Sequence, residues 1–302
     1  MEKIRRKVRS FDIFSGHAFY TPEVKGMFAL LGLLIAGALF GSLITAILVL
    51  IYGPDFATEY GTLVAYPLMF VPPLMYAGYK SRSNAVFEQG YALDSRHFGR
   101  TGGIGCALMA TASVLAAAFM TDAISAQMPP MPQWLDDALT SMTQGKLWMN
   151  LLCVSVFAPL FEEWLCRGMV LRGLLNARKA DGSARMSPAW AIVISALFFA
   201  VIHANPWQAI PAFILGCLFG YIYYRTGSLK LTMLMHCVNN TFAVICGQIE
   251  SLKDMDSWLD VLPGQQYWLL FAACALLLAL NLREFSRIGI QSPAGNCDPV
   301  SE

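Results

Sequence analysis

The strongest constraint in this sequence is a series of apolar runs, each close to the length needed to cross a lipid bilayer. A helix needs roughly 20 apolar residues to span the hydrocarbon core. A window of that length finds eight candidate spans, at 27–52, 61–79, 101–126, 147–171, 188–203, 208–224, 231–248 and 267–282. The runs are continuously apolar, whereas a membrane strand alternates over about ten residues. The sequence therefore predicts an all-α, polytopic membrane protein with about eight transmembrane helices in a bundle.

Charge and composition agree with a lipid-embedded chain. Of the 302 residues, 56% are hydrophobic and 14% are charged, and the net charge of +1 gives no sign of a nucleic-acid surface. We predict a basic cytoplasmic N-terminal segment at 1–26, one transmembrane domain at 27–285 with a catalytic core at about 147–248, and a flexible C-terminal tail at 286–302. Two GxxxG steps, Gly37/Gly41 and Gly216/Gly220, predict close helix packing.

Basic residues set the expected orientation. With eight spans, 18 of the 21 lysines and arginines fall at one end of the bundle, and the loops at the other end carry acids. Because positively charged loops stay on the cytoplasmic side, both termini are expected to be cytoplasmic.

The fourth span, at 147–171, contains three charged residues that lipid excludes. A charge at a helix centre costs roughly 2.5–3.5 kcal/mol on insertion scales, so such a residue is a functional hypothesis. Glu163 and Arg167 are four residues apart on one helical face and can form an ion pair. Glu162 lies about 100° around the helix from Glu163, so it needs a partner from another helix.

Two histidines add further polar groups to the apolar helices. His203 follows Phe199 at a spacing of four residues, and His236 precedes Asn240 at the same spacing, so each pair shares a helical face. A carboxylate beside an imidazole can take a proton from water, and an imidazole with an amide can donate to an oxyanion. These groups suit hydrolysis of a peptide bond. Two histidines and Glu162 also suit zinc, but HExxH is absent and Asn240 is a poor zinc ligand.

Three short motifs appear in order on successive helices: EEWLCR fits EExxxR, FAVIH fits FxxxH and HCVNN fits HxxxN. In this the chain resembles the CPBP family of intramembrane proteases, which includes CAAX prenyl endopeptidases and Abi-type bacteriocin-processing or immunity relatives. The resemblance covers roughly 152–244.

The resemblance implies roles for these residues. Glu162 would activate water with His203, while His236 and Asn240 would form an oxyanion site and Glu163, Arg167 and Phe199 would support it. It implies an integral protein of the bacterial cytoplasmic membrane. Its substrate would be a membrane-associated peptide or protein, and we expect a cytoplasmic opening of the site. A metal-free reaction is favoured. If zinc were bound instead, its ligands would be Glu162, His203 and His236.

One geometric difficulty follows from helix lengths. His203 stands at the far end of its span, whereas Glu162 lies near the middle of its own. We therefore expect the helix before His203 to tilt or to begin outside the hydrocarbon core, so that the HANPWQ turn reaches the cavity.

Two other functions fit the same residues. A transporter or channel can use Glu162, His203 and His236 as a proton or cation relay, and it would predict paired discontinuous helices. A non-catalytic immunity or scaffold protein can retain the motifs for binding. The oligomeric state and the substrate's identity do not follow from the sequence.

Overall fold

The apolar runs form long helices joined by short turns. The computed structural model describes residues 14–83, 90–143, 146–252, 255 and 257–290. Nine helices follow one another in this part of the chain: α1 Val24–Tyr52, α2 Pro54–Ser83, α3 Gly102–Ser125, α4 Gln133–Thr143, α5 Leu147–Asn176, α6 Pro188–Ile202, α7 Pro206–Thr226, α8 Leu229–Cys246 and α9 Gly264–Ser286. Three short 3-10 turns lie at Ser15–His17, Gly99–Thr101 and Trp258–Asp260.

Each of the eight predicted spans is helical, which confirms an all-α membrane protein. By length and composition, six helices can cross a membrane: α1, the segment Gly99–Ser125 that contains α3, α5, α7, α8 and α9. Helix α2 has the length but is less apolar, because it contains Pro67, Pro72 and Pro73 besides several tyrosines. Helix α6 has only 15 residues, or about 22 Å. The count of eight spans and the cytoplasmic termini stay predictions.

The core is built around α5. Residues from Trp164 to Leu171 are almost completely buried against α1, α2, α6 and α7. A second apolar cluster joins α3, α7 and α9 through residues such as Val114, Phe219 and Phe285. The α5 segment is thus surrounded by protein, whereas only 6% of the most apolar window of α9 is buried.

Helix α5 departs from the regular helix expected for the fourth span. Its turns widen to π-helical geometry at Leu151–Phe157 and again at Trp164–Leu171. Between them lies an ordinary α-helical stretch, Ala158–Glu163. Wide turns of this kind often mark functional sites, and here they flank the two glutamates.

A buried arginine attaches the segment before α1 to α5. The fully buried guanidinium of Arg172 donates to the carbonyl of Ala18 at 3.0 Å and to that of Tyr20 at 2.6 Å. His17 contacts the carbonyl of Leu74 and packs edge-on against Trp164. Burial holds the pKa of His17 below its usual value of 6.5, so its ring is neutral at pH 7. Part of the predicted N-terminal segment, from His17 to Tyr20, thus packs on the helices.

Parts of the predicted N-terminal segment and of the predicted C-terminal tail lie outside the described residues. Much of the basic N-terminal segment precedes residue 14, and the predicted tail is described only as far as residue 290. No finding tests the proposed domain boundaries.

The small residues predicted for helix packing occupy close contacts. A Cβ added at Gly37 would lie 2.2 Å from the carbonyl oxygen of Met69 on α2. A Cβ at Gly41 would meet the carbonyl of Ala65 at 2.9 Å, and one at Gly216 would meet Ala196 on α6 at 3.1 Å. Small residues let helix backbones approach each other in membranes, so this prediction is confirmed.

The first testable prediction is that Gly37→Ala destabilises the contact between α1 and α2. The added methyl group meets backbone that cannot turn aside, and overpacking of this kind costs about 1–3 kcal/mol. The matched control is Gly32→Ala on the same helix, because nothing lies within 4 Å of its added Cβ. Thermal unfolding in one detergent should show a lower midpoint for Gly37→Ala alone, and equal midpoints for the two variants would contradict the close contact.

Candidate active site

The predicted catalytic residues line one cavity. Glu162 on α5, His203 after α6, and His236 and Asn240 on α8 all form part of its wall. The cavity has a volume of about 740 Å³, within the range of small-molecule and cofactor sites. The structure therefore brings four residues from three segments to a shared space, as the motifs predict. That these four residues catalyse a reaction stays a prediction.

Glu162 has a partner that sequence reasoning did not identify. The hydroxyl of Tyr66 on α2 donates a short hydrogen bond to Oε1 of Glu162. Its other oxygen, Oε2, is buried without a hydrogen-bond partner among the described residues. Tyr66 also lines the cavity. The phenol thus holds one carboxylate oxygen of a residue that forms part of the cavity wall.

Glu163, Arg167 and His236 form a buried polar network. Arg167 Nη1 donates to Glu163 Oε1 at 2.9 Å, and both side chains are completely buried. His236 Nδ1 lies 3.0 Å from the same oxygen. Because a carboxylate accepts here, Nδ1 carries a hydrogen and Nε2 is left for the cavity. The ion pair expected from the four-residue spacing is therefore present.

Aromatic rings enclose this network. The guanidinium carbon of Arg167 lies 4.4 Å from the ring centroid of Phe199 and 5.2 Å from that of Phe219. Arg167 Nη2 also donates to the carbonyl of Gly216 at 3.1 Å. Stacking on aromatic faces stabilises a cation that has left water. The supporting role expected for Phe199 thus has a physical basis, since its ring also lies edge-on to His203 and to His236.

His203 lies in the turn between α6 and α7. Its Nδ1 is 2.7 Å from the carbonyl oxygen of Phe199. Because a carbonyl oxygen can only accept a hydrogen bond, Nδ1 is the donor and Nε2 can act as an acceptor. The next residue, Ala204, has φ of 58°, a left-handed conformation that is strained for residues other than glycine. No direct hydrogen bond joins His203 to Glu162 in the described structure. The two residues line the same cavity.

Asn240 makes contacts that the sequence did not predict. Its Nδ2 donates to the carbonyl of Val154 in the first wide turn of α5, at 2.8 Å. Its Oδ1 accepts from Asn239 Nδ2 at 3.1 Å. One amide hydrogen of Asn240 is therefore used by the backbone, and the second is available to the cavity. Asn239 belongs to the same wall.

The cavity opens at the end opposite to the basic loops. Its outer wall contains Thr140 of α4, Gln208 at the start of α7 and Gln248 just beyond α8, all exposed. The basic end is closed by buried residues between Trp164 and Leu175. The charged loops and the cavity mouth thus occupy opposite ends of the bundle, and the expected cytoplasmic opening stays a prediction.

Comparison with known proteins supports the resemblance drawn from the motifs. Residues 144–242 match the family model described as "Type II CAAX prenyl endopeptidase Rce1-like". The chain is also similar to the membrane-embedded CAAX protease MroQ of Staphylococcus aureus, with 33% identity over 93 residues.

This region is similar to the Rce1-like CAAX prenyl endopeptidases. The EExxxR, FxxxH and HxxxN motifs all lie inside it, which confirms the family resemblance.

The Rce1-like region makes up only part of the chain. The alignment with the staphylococcal relative covers 30% of this chain and 36% of that relative, so the chain matches about a third of its length. No solved structure matches the chain. Together with the six apolar helices, the match to a bacterial protein identifies an integral protein of the bacterial membrane.

Tyr66 lies outside the Rce1-like region and was missed for a physical reason. It belongs to α2, 96 residues before Glu162, and the surrounding sequence, LVAYPLM, contains no other polar group. Nothing in the sequence gives the distance between α2 and α5. The sequence indicated only that the buried carboxylate of Glu162 needs a hydrogen-bond or ionic partner from another helix.

The alternative zinc site finds no support in the donor geometry. Within the described ranges, no three His, Cys, Asp or Glu residues are grouped closely enough to hold a metal ion. Glu163 and His236 are in contact, but Arg167 already occupies the shared carboxylate oxygen. Glu162, His203 and His236 therefore do not fit a preformed zinc site.

The second testable prediction concerns the buried ion pair. Arg167→Met leaves the Glu163 carboxylate buried without its cation, and breaking such a pair costs about 3–5 kcal/mol. Adding Glu163→Gln to Arg167→Met should restore part of that loss, because the unpaired charge is removed. Thermal unfolding of the single and double variants tests this.

The control for the ion pair is Arg185→Met, since Arg185 is exposed in the loop before α6. It should unfold close to the wild-type temperature. If Arg167→Met unfolds at the same temperature as Arg185→Met, the ion pair contributes little to stability.

Proposed function

We propose that this protein is an intramembrane endopeptidase that hydrolyses a peptide bond of a membrane-associated protein or peptide. The observation that carries the proposal is the position of Glu162, half-buried in the wall of a cavity that it shares with His203, His236 and Asn240. The Rce1-like character of the region and the family name of its staphylococcal relative support a protease.

Glu162 is the proposed general base. A water molecule between Glu162 Oε2 and His203 Nε2 would lose a proton to the carboxylate while its oxygen attacks the carbonyl carbon of the substrate. A positioned general base contributes about 10²- to 10⁴-fold to a rate. Tyr66 would act as a positioning residue, since its hydrogen bond to Oε1 would fix the rotamer of Glu162 in the cavity wall.

His236 and Asn240 are proposed to stabilise the oxyanion. The free hydrogen of Asn240 Nδ2 can donate to the developing negative charge. The Nε2 of His236 can donate when the ring is protonated, and Glu163 supplies a counter-charge at Nδ1. Donors fixed in advance stabilise such a charge because they need no reorganisation during the reaction.

The proton balance closes within these residues. The tetrahedral intermediate collapses as its carbon–nitrogen bond breaks, and protonated Glu162 gives its proton to the leaving amine. The products are a carboxyl-terminal and an amino-terminal fragment, and Glu162 returns to its ionised form. The proposed reaction is metal-free, because no step needs a Lewis acid and the donors do not fit a preformed zinc site.

The third testable prediction is that Glu162→Gln removes cleavage. Purified protein in nanodiscs would be incubated with a pool of synthetic apolar peptides, and products would be identified by mass spectrometry. Loss of the base should lower the rate by about 10²-fold or more. Glu59→Gln is the matched control, since Glu59 pairs with Lys146 outside the large cavity.

Chelation separates the metal-free mechanism from its alternative. EDTA should leave wild-type cleavage unchanged. A loss of activity that zinc restores would overturn the metal-free mechanism, and equal activity of Glu162→Gln and wild type would overturn the role of Glu162.

The fourth testable prediction is that Tyr66→Phe lowers kcat and leaves KM nearly unchanged. The variant keeps the ring but loses a hydrogen bond to a carboxylate, worth about 1.5–3 kcal/mol, so kcat should fall roughly 10- to 100-fold. Tyr221→Phe is the control, because its hydroxyl contacts the carbonyl of Leu282 away from the cavity. A rise in KM without a change in kcat would assign Tyr66 to substrate binding instead.

A further inference from the structure

Helix α4, at the mouth of the cavity, has three different sides. The first side faces the protein, because Leu135 is buried and Leu139 lines the cavity. The second side is polar and exposed, and it carries Asp136 and Asp137. The third side carries Trp134, whose side chain lies about 100° around the helix from Leu135 and about 160° from Asp136. Trp134 is 72% exposed, so a large apolar ring projects from a side of α4 that the protein does not cover.

The path of the chain holds α4 at the level where the membrane-spanning segments end. Helix α4 follows the segment Gly99–Ser125 and precedes α5, and both of these are long and apolar enough to cross a bilayer. The indole Nε1 of Trp207 on α7 donates to the carbonyl of Pro129 at 2.8 Å, which attaches the segment before α4 to the bundle. Helix α4 therefore lies close to the plane in which these segments leave the membrane.

Exposed tryptophans and tyrosines mark the same plane. Among the described residues, every exposed tryptophan or tyrosine lies near an end of its helix: Tyr52, Trp134, Trp148 and Trp268 at the mouth end, and Tyr79 and Trp190 at the basic end. The middle of the outer surface carries aliphatic side chains instead, such as Leu39 on α1 and Leu276 on α9. Tryptophan and tyrosine concentrate at both membrane–water interfaces, where their rings lie at the level of the headgroups. Trp134 thus belongs to the aromatic ring of the mouth end.

We propose that α4 is an interfacial helix, whose Trp134 side inserts between the lipid headgroups and the acyl chains and which forms the part of the cavity rim that borders the bilayer. An amphipathic helix binds this boundary through its apolar side and keeps its polar side in water. The lipid-facing surface continues into α5, where Trp148 is exposed. Because α4 has two aspartates and no lysine or arginine, its partner is a neutral, zwitterionic lipid surface. This inference does not rest on the proposed function.

Photo-crosslinking to lipid tests the position of Trp134. A benzophenone amino acid would replace Trp134 in full-length protein in phosphatidylcholine nanodiscs. The matched control carries it at Asp136, on the water side of the same helix, and a third variant carries it at Leu276, which is exposed on α9. Intact-protein mass spectrometry after irradiation would measure the phospholipid adducts. The yield at Trp134 should approach that at Leu276 and exceed that at Asp136 about fivefold or more, because the two α4 side chains lie on nearly opposite sides.

The lipid composition tests the chemistry of the partner. Replacing half of the phosphatidylcholine by anionic phosphatidylglycerol should leave the adduct yield at Trp134 unchanged, because basic side chains attract anionic lipid and α4 has none. The three substituted side chains are all exposed, so the benzophenone displaces no buried group. Thermal unfolding of each variant would check that it folds like the wild type.

Three results would overturn the inference. The first is an equal lipid yield at Trp134 and Asp136, and the second is crosslinking of Trp134 to a second copy of the chain in place of lipid. The third is a yield at Trp134 that rises with phosphatidylglycerol, which would indicate an anionic-lipid site. None of these measurements involves cleavage, so their outcome is separate from that of the endopeptidase tests.

Discussion

The structure depends on the solution to one electrostatic problem, a glutamate and an arginine placed at the centre of a helix bundle. Glu163 and Arg167 neutralise each other within one helix. The carboxylate and the guanidinium each form a further contact with a neighbouring helix. His236 of α8 approaches the carboxylate, the backbone of α7 accepts from the guanidinium, and Phe199 of α6 covers it. Because polar groups in lipid must be satisfied within the protein, this single pair fixes three helices around α5. Glu162 is one residue before Glu163, so it lies on another face of α5. There it accepts from Tyr66 and lines the cavity.

The bundle divides into a closed half and an open half along α5. In the closed half, wide turns bring Trp164 to Leu171 into contact with several helices at once, and every one of these side chains is buried. In the open half, the first wide turn exposes the Val154 carbonyl to Asn240, and the helices separate around the cavity. Glu162 lies in the ordinary helical stretch between the two. The closed, tightly packed half of the bundle lies next to the open cavity. Such packing suits a site whose side chains must be preorganised.

Much of the helical framework was predictable because apolar runs in lipid have few alternatives to the helix. The same reasoning predicted Gly37 and Gly41 as contact points and Glu163 with Arg167 as a pair, since both depend on spacing within one helix. Contacts between distant helices were not predictable. Tyr66 approaches Glu162 across 96 residues, and Asn240 approaches Val154 across 86. The wide turns of α5 also escaped prediction, because they depend on how neighbouring helices pack. The motifs therefore predicted residues that line one cavity, whereas the partners of these residues required the three-dimensional structure.

The buried Arg172 has a consequence for the order in which the protein assembles. Its bonds to Ala18 and Tyr20 join residues 154 and 152 positions apart. At a synthesis rate of about 5–20 residues per second, the segment before α1 leaves the ribosome roughly 8–30 s earlier than its anchor. During that interval the carbonyls that Arg172 will occupy remain with water or lipid headgroups. Until α5 is made, the segment before α1 lacks this attachment, and the arrival of Arg172 then joins that segment to the basic end of the bundle.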